Sequence, residues 1–148
     1  MKKRTYTIDI QAPATEVSAK MLGEDTFKQW TSVFNPTSYF QGGWNKGDKI
    51  CFIGLSESGK REGMVARIEE HIPNTFVSIH HYGLLDGDQE ILEGPQVDDW
   101  ANAHENYTFK EKDGITTVIV DVDVNDAYLD YFNDTWPKAL KRLKEICE

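Results

Sequence analysis

The sequence predicts an α+β protein: a curved antiparallel sheet of seven strands, two short helices after the first strand, and one long C-terminal helix covering a cavity. Three observations predict it. Residues 37–124 hold strand-like runs separated by turn residues, with no long helical run between them. The last 24 residues, NDAYLDYFNDTWPKALKRLKEICE, carry apolar residues at helical spacing. Such a helix of about 20 residues spans about 30 Å, so it can lie across a whole sheet and leave space beneath it.

The elements follow in order. Thr5–Ile10 alternates as a half-buried strand does. Pro13 pre-sets a helix start, and Val17, Met21 and Leu22 form a short apolar stripe that ends at Gly23. Asp25 is placed to cap a second short helix carrying Phe27 and Trp30. Strands are then expected at Ser38–Gln41, Lys49–Ile53, Gly63–Glu70, Thr75–Tyr82, Glu105–Lys110 and Ile115–Val124, divided by turns such as Pro73-Asn74 and Asp113-Gly114. Residues 84–103, with Trp100 near their end, read as one long loop, and a loop of that length is often functional. In the tail Tyr128, Phe132, Trp136, Leu140 and Leu143 recur at helical spacing, with Pro137 expected to kink or divide the helix. No repeat or linker-like stretch interrupts the chain, so residues 1–148 are expected to form a single domain.

Composition narrows the function classes. The 148 residues are 39% hydrophobic and 28% charged, the balance of a globular protein. Asp and Glu number 25 against 16 Lys and Arg, a net charge of −9, which argues against nucleic acid and anionic membranes as partners. Cys51 and Cys147 have no zinc-ligand spacing and fit reduced thiols, so a cytoplasmic location is expected. No signal-peptide apolar region follows the basic start, and no run approaches a membrane span.

Residues 54–63, GLSESGKREG, imitate a phosphate-binding loop behind the apolar run Ile50–Ile53. A phosphate loop needs Ser or Thr after its lysine and a helix directly behind it. Here Arg61 follows Lys60, and Met64, Ala66 and Ile68 alternate as in a strand. The segment is expected to be a hairpin turn.

Five stretches carry a resemblance: Trp30-Thr31-Ser32-Val33-Phe34-Asn35-Pro36-Thr37-Ser38, Gly43-Trp44-Asn45-Lys46-Gly47, Gly63–Ile68, Glu105-Asn106-Tyr107-Thr108 and Trp136-Pro137-Lys138-Ala139-Leu140. In order and spacing they resemble landmarks of one branch of the START-like (SRPBCC) superfamily, the bacterial single-domain proteins homologous to the activator of the heat-shock chaperone ATPase. The resemblance covers nearly the whole chain. It implies the helix-grip fold and a deep, mostly apolar cavity under the C-terminal helix, which the superfamily uses for lipids, hormones and polyketides. These bacterial proteins lack the extra chaperone-docking domain of the eukaryotic activators. Ser18 departs from the pattern, since relatives usually carry an aromatic in the first helix, and this implies a reshaped pocket mouth.

Alternation turns Met64, Ala66, Ile68, then Val77, Ile79, His81, then Glu105, Tyr107, Phe109, and Val118, Val120, Val122 toward the long helix. A register slip of one residue would invert each set. Trp30, Trp44, Trp100, Tyr128 and Phe132 are expected at the rim and roof, although the same residue types also fill an ordinary core. The candidate ligand-binding set is therefore Trp30, Trp44, Met64, Ile79, His81, Trp100, Glu105, Tyr107, Tyr128 and Phe132. His81 and Glu105, on strands flanking the long loop, are expected to meet inside the cavity as a polar pair that fixes register rather than as catalysts. Of the histidines at 71, 80, 81 and 104, at most two can converge, because His80 and His81 face opposite sides of one strand. No metal, cofactor or catalytic residue is expected. The expected function is non-enzymatic binding of a small apolar or aromatic molecule. The alternatives are a protein-interaction module that modulates a chaperone ATPase, and a hydrolase or cyclase acting in the same cavity. A homodimer is kept open.

Overall fold

The computed structural model describes residues 1–98 and 102–148. Its sheet is antiparallel throughout. The strands are β1 (Lys2–Ile10), β2 (Tyr39–Gly42), β3 (Lys49–Leu55), β4 (Arg61–Ile72), β5 (Phe76–Asp86), β6 (Gln89–Ile91), β7 (Ala103–Lys112) and β8 (Ile115–Val124). Seven lie in the order β1-β8-β7-β5-β4-β3-β2, and β6 pairs with the far end of β5. The helices are α1 (Ala14–Leu22), α2 (Glu24–Trp30), α3 (Pro95–Asp98) and α4 (Leu129–Cys147).

The seven expected strands are all present, with an eighth added. β5 runs four residues past Tyr82, and β6 and α3 occupy residues expected to be loop. The peptide groups of residues 84–86 pair with residues 89–91, so backbone hydrogen bonding extends the strand where side-chain pattern does not announce it. GLSESGKREG is the β3–β4 hairpin: Leu55 pairs with Arg61, Gly59 has φ +82°, and Ser56 N–H donates to Lys60 O at 2.8 Å. No helix follows it.

Two helix expectations are corrected. Gly23, not Asp25, is the N-cap of α2, and Asp25 lies in the first turn, where a negative charge suits the helix dipole. Pro137 sits inside α4, which continues from Leu129 to Cys147. The proline lacks the N–H that would bond the Asn133 carbonyl. Packing holds the helix across that gap: Trp136, Ala139, Leu140 and Leu143 are all buried against the sheet and α1–α2. Tyr6 on β1 stacks on Trp136, with ring centroids 6.2 Å apart and planes 15° from parallel.

One core fills the space between the sheet and the helices. It includes Ala66, Ile68, Val77, Ile79, Tyr107, Phe109, Val118, Val120 and Val122, so the expected inward parity holds on β4, β5, β7 and β8. Two bulges modify the β4–β5 ladder. Val65 pairs with Gly83 and Ala66 with His81, leaving Tyr82 as an extra residue, while Ile68 pairs with Ile79 and Glu70 with Ser78, leaving Glu69 as an extra. Ile53, Val65 and Leu85 form a small second cluster, against which Tyr39, Cys51 and Tyr82 pack.

Candidate functional site

The site begins with strand pairing. Ile79 pairs with Glu105 and His81 with Ala103, which makes His81 and Glu105 diagonal neighbours on one face of β5 and β7. Tyr107, two residues beyond Glu105, shares that face. His81 Nε2 lies 3.2 Å from Glu105 Oε1, and the Tyr107 hydroxyl donates to Glu105 Oε2. One carboxylate thus accepts from a ring nitrogen and a phenol. Because a carboxylate can only accept, Nε2 carries the proton, and Nδ1 is left as an acceptor in the neutral ring. Nδ1 is buried and has no partner within the described chain.

Both flanking groups are deeply buried, His81 5% exposed and Tyr107 1% exposed. Burial first, and then the charge and hydrogen bond of Glu105, push the Tyr107 phenol well above the ordinary tyrosine range.

Two hollows, of about 260 and 340 Å³, adjoin this polar set. Met64, His81, Glu105, Tyr131 and Phe132 line both. The smaller extends along β8 past Val122 and Val124 to Tyr128, and Leu84, which pairs with Met64, belongs to its wall. The bulge at Tyr82 accounts for Leu84: without the extra residue, the parity set by His81 would turn Gly83 and Leu85 inward instead. The larger is aromatic, lined by Phe27, Trp30, Phe34, Phe52, Tyr107 and Trp136. Trp136 is one of its lining residues, with an indole N–H that is buried and without a partner within the described chain, whereas Trp30 donates to Met21 O at 3.0 Å.

Of the expected ligand set, Trp30, Met64, His81, Glu105, Tyr107, Tyr128 and Phe132 line one hollow or both. Ile79 is fully buried in the core and lines neither. Trp44 also lines neither; it packs among Phe27, Phe40 and Phe52, and its carbonyl meets His71 Nδ1 at 2.6 Å. Trp100 lies outside the described residues. Ser18 is buried in α1, where its hydroxyl donates to Asn74 Oδ1 at 2.7 Å, so the departure there faces the β4–β5 turn and neither hollow. Tyr131 is missing from the expected set. It stands three residues after Tyr128 and beside Phe132, so a wider helical face drawn from the same period includes it.

An antiparallel sheet gripped by a long C-terminal helix is a helix-grip fold. Solved structures agree with it. The solution structure of the Aha1 dimer from Colwellia psychrerythraea has a TM-score of 0.72 at 19% identity, covering 100% of this chain and 97% of that one. A Mycobacterium smegmatis protein matches with a TM-score of 0.71 at 15% identity over 97% and 89% of the two chains. One from Nitrosomonas europaea gives 0.73 at 12% identity over 97% and 92%. No family model and no curated protein matches the sequence. At these identities the likeness concerns the fold.

Proposed function

We infer that the protein binds, without chemical turnover, a small apolar or aromatic molecule bearing one hydrogen-bonding group, between the sheet and α4. The observation that carries this is the His81–Glu105–Tyr107 set at the wall shared by two hollows. Ligand pockets combine apolar walls with a few placed polar groups. Here the larger hollow is rich in aromatic rings and the smaller in aliphatic side chains, with polar groups such as Asn35, Glu62, Asp123 and Asn125 also in the lining. His81 Nδ1 and Trp136 Nε1 are buried polar atoms without a partner in the described chain. Leaving such groups unpaired costs about 1–3 kcal/mol each, which a ligand hydroxyl or amide that reached either atom would recover. The test is native mass spectrometry of protein purified from its own source organism. A stoichiometric mass excess that denaturation releases supports the reading; the bare chain mass throughout contradicts it.

A second reading, modulation of a chaperone ATPase through the protein surface, is favoured by the fold likeness to Aha1 and by exposed Val33, Tyr128 and Tyr131. Stimulation of such an ATPase, lost on Tyr128→Ser, supports it. An unchanged rate removes it.

A further inference from the structure

On the sheet face opposite α4, His80 of β5 and His104 of β7 are direct cross-strand partners. Their rings stack with centroids 4.9 Å apart and planes 8° from parallel. Glu69 of β4 completes the group. It is the extra residue of the second β4–β5 bulge, and it reaches both rings: Oε1 lies 3.2 Å from His80 Nδ1 and Oε2 lies 3.0 Å from His104 Nε2. A ligand atom from each of the three residues lies within 4.8 Å of the other two.

We propose that Glu69, His80 and His104 bind one divalent transition-metal ion of the zinc, nickel or copper class. Two imidazoles and a carboxylate are the donors such ions select, in contrast to the all-oxygen sets of calcium and magnesium. The far nitrogens complete the argument. Asn102 Oδ1 lies 2.9 Å from His80 Nε2. With that amide oxygen accepting from Nε2, His80 can offer Nδ1 as a ligand nitrogen on the side of Glu69 Oε1, 3.2 Å away. A cation between the two would then be bonded by both. His104 is arranged likewise, since with Nε2 on the metal its Nδ1 faces Asp123 Oδ2, now 3.9 Å away. Metal-bound histidines regularly give their second ring N–H to a carboxylate or amide oxygen in this way.

The geometry is open but close. Zinc–nitrogen bonds of about 2.0–2.1 Å place two tetrahedral ligand nitrogens about 3.3 Å apart, so the stacked rings must turn out of parallel for both in-plane lone pairs to meet one ion. The side chains of Glu69, His80 and His104 are 45%, 24% and 35% exposed, which leaves a path for the ion and room for water as a further ligand.

Calorimetric titration of zinc chloride into the full, tag-free, chelator-stripped chain tests this. One saturable site per chain is expected, with affinity reduced at least tenfold by His80→Ala, by His104→Ala and by Glu69→Gln, and unchanged by His81→Phe on the opposite face. Circular dichroism of each variant confirms that it is folded. Absence of a saturable one-to-one phase overturns the proposal, as does equal affinity in a folded His80→Ala/His104→Ala double variant.

Discussion

His81 Nε2 stands 3.2 Å from Glu105 across the β5–β7 pair, and the other oxygen of that carboxylate holds the Tyr107 hydroxyl. The three side chains join two strands at the middle of the sheet and put polar atoms at the wall shared by two largely apolar hollows. Removing the carboxylate leaves two buried donors unpaired, whereas removing His81 leaves Tyr107 its partner. Glu105→Leu is therefore expected to destabilise the fold by about 2–4 kcal/mol, more than His81→Phe, in urea unfolding. Equal costs at the two positions would contradict this order.

Tyr107 links stability to high pH. Its phenol is held in the neutral form when folded and titrates near its ordinary value of about 10 when unfolded. An acid with a raised folded pKa stabilises the fold relatively below the unfolded pKa, and that contribution is lost as pH rises beyond it. The wild type should lose stability above about pH 10 more steeply than Tyr107→Phe. Parallel pH profiles would mean that the phenol ionises freely.

Tyr6 and Trp136 should behave as a coupled pair. Trp136 is 3% exposed, and truncating a buried tryptophan costs about 3–5 kcal/mol. Tyr6 stacks on it and donates to Asn133 Oδ1 at 2.7 Å, so Tyr6→Ala is also costly. A double-mutant cycle should give a coupling of about 0.5–1.5 kcal/mol. Strict additivity would show that the stack contributes nothing.

The thiols are expected to be inert in the native state. Burial first, and then the neighbouring Glu16 charge, push Cys147 up to about 11, and burial also raises Cys51. Since the thiolate is the reactive form, a thiol reagent near neutral pH should label both cysteines only after unfolding. Rapid labelling of the folded chain at either position would contradict the packing described.

The hairpin at Gly59 should ignore nucleotides. Lys60 pairs with Asp86 on β5, a surface contact, so Lys60→Ala should leave the unfolding midpoint unchanged. Magnesium-ATP should not raise the melting temperature of either chain. A saturable rise abolished by Lys60→Ala would restore the phosphate-loop reading.

Much of this was legible in sequence because period-2 alternation and turn residues are local signals. Val118, Val120 and Val122 announce their face directly, and Asp113-Gly114 marks its hairpin with two positive φ angles, 54° and 79°. The diagonal meeting of His81 with Glu105 was legible too, since only antiparallel pairing with both side chains inward was needed. What escaped depends on distant backbone. Gln89–Ile91 has no apolar pattern and becomes a strand through β5's free hydrogen-bonding groups. The bulges at Glu69 and Tyr82 carry no residue signature, yet they decide that Glu69 reaches two histidines and that Leu84 lines a hollow. Pro137 misleads for the same reason: local chemistry argues for a break, and tertiary packing overrides it.

In the proposed function the His81–Glu105–Tyr107 set orients a ligand among largely apolar walls. Tryptophan fluorescence measures it directly, because Trp30 and Trp136 line the larger hollow. Titration with naphthalene and with naphthol compares one apolar frame with and without a hydroxyl. Saturable binding of both is expected, with naphthol tighter by about five- to tenfold, the weight of one hydrogen bond of about 1 kcal/mol. His81→Phe should keep naphthalene binding and erase most of that preference. No saturable binding of either compound, or an undiminished preference in the folded variant, would contradict the account.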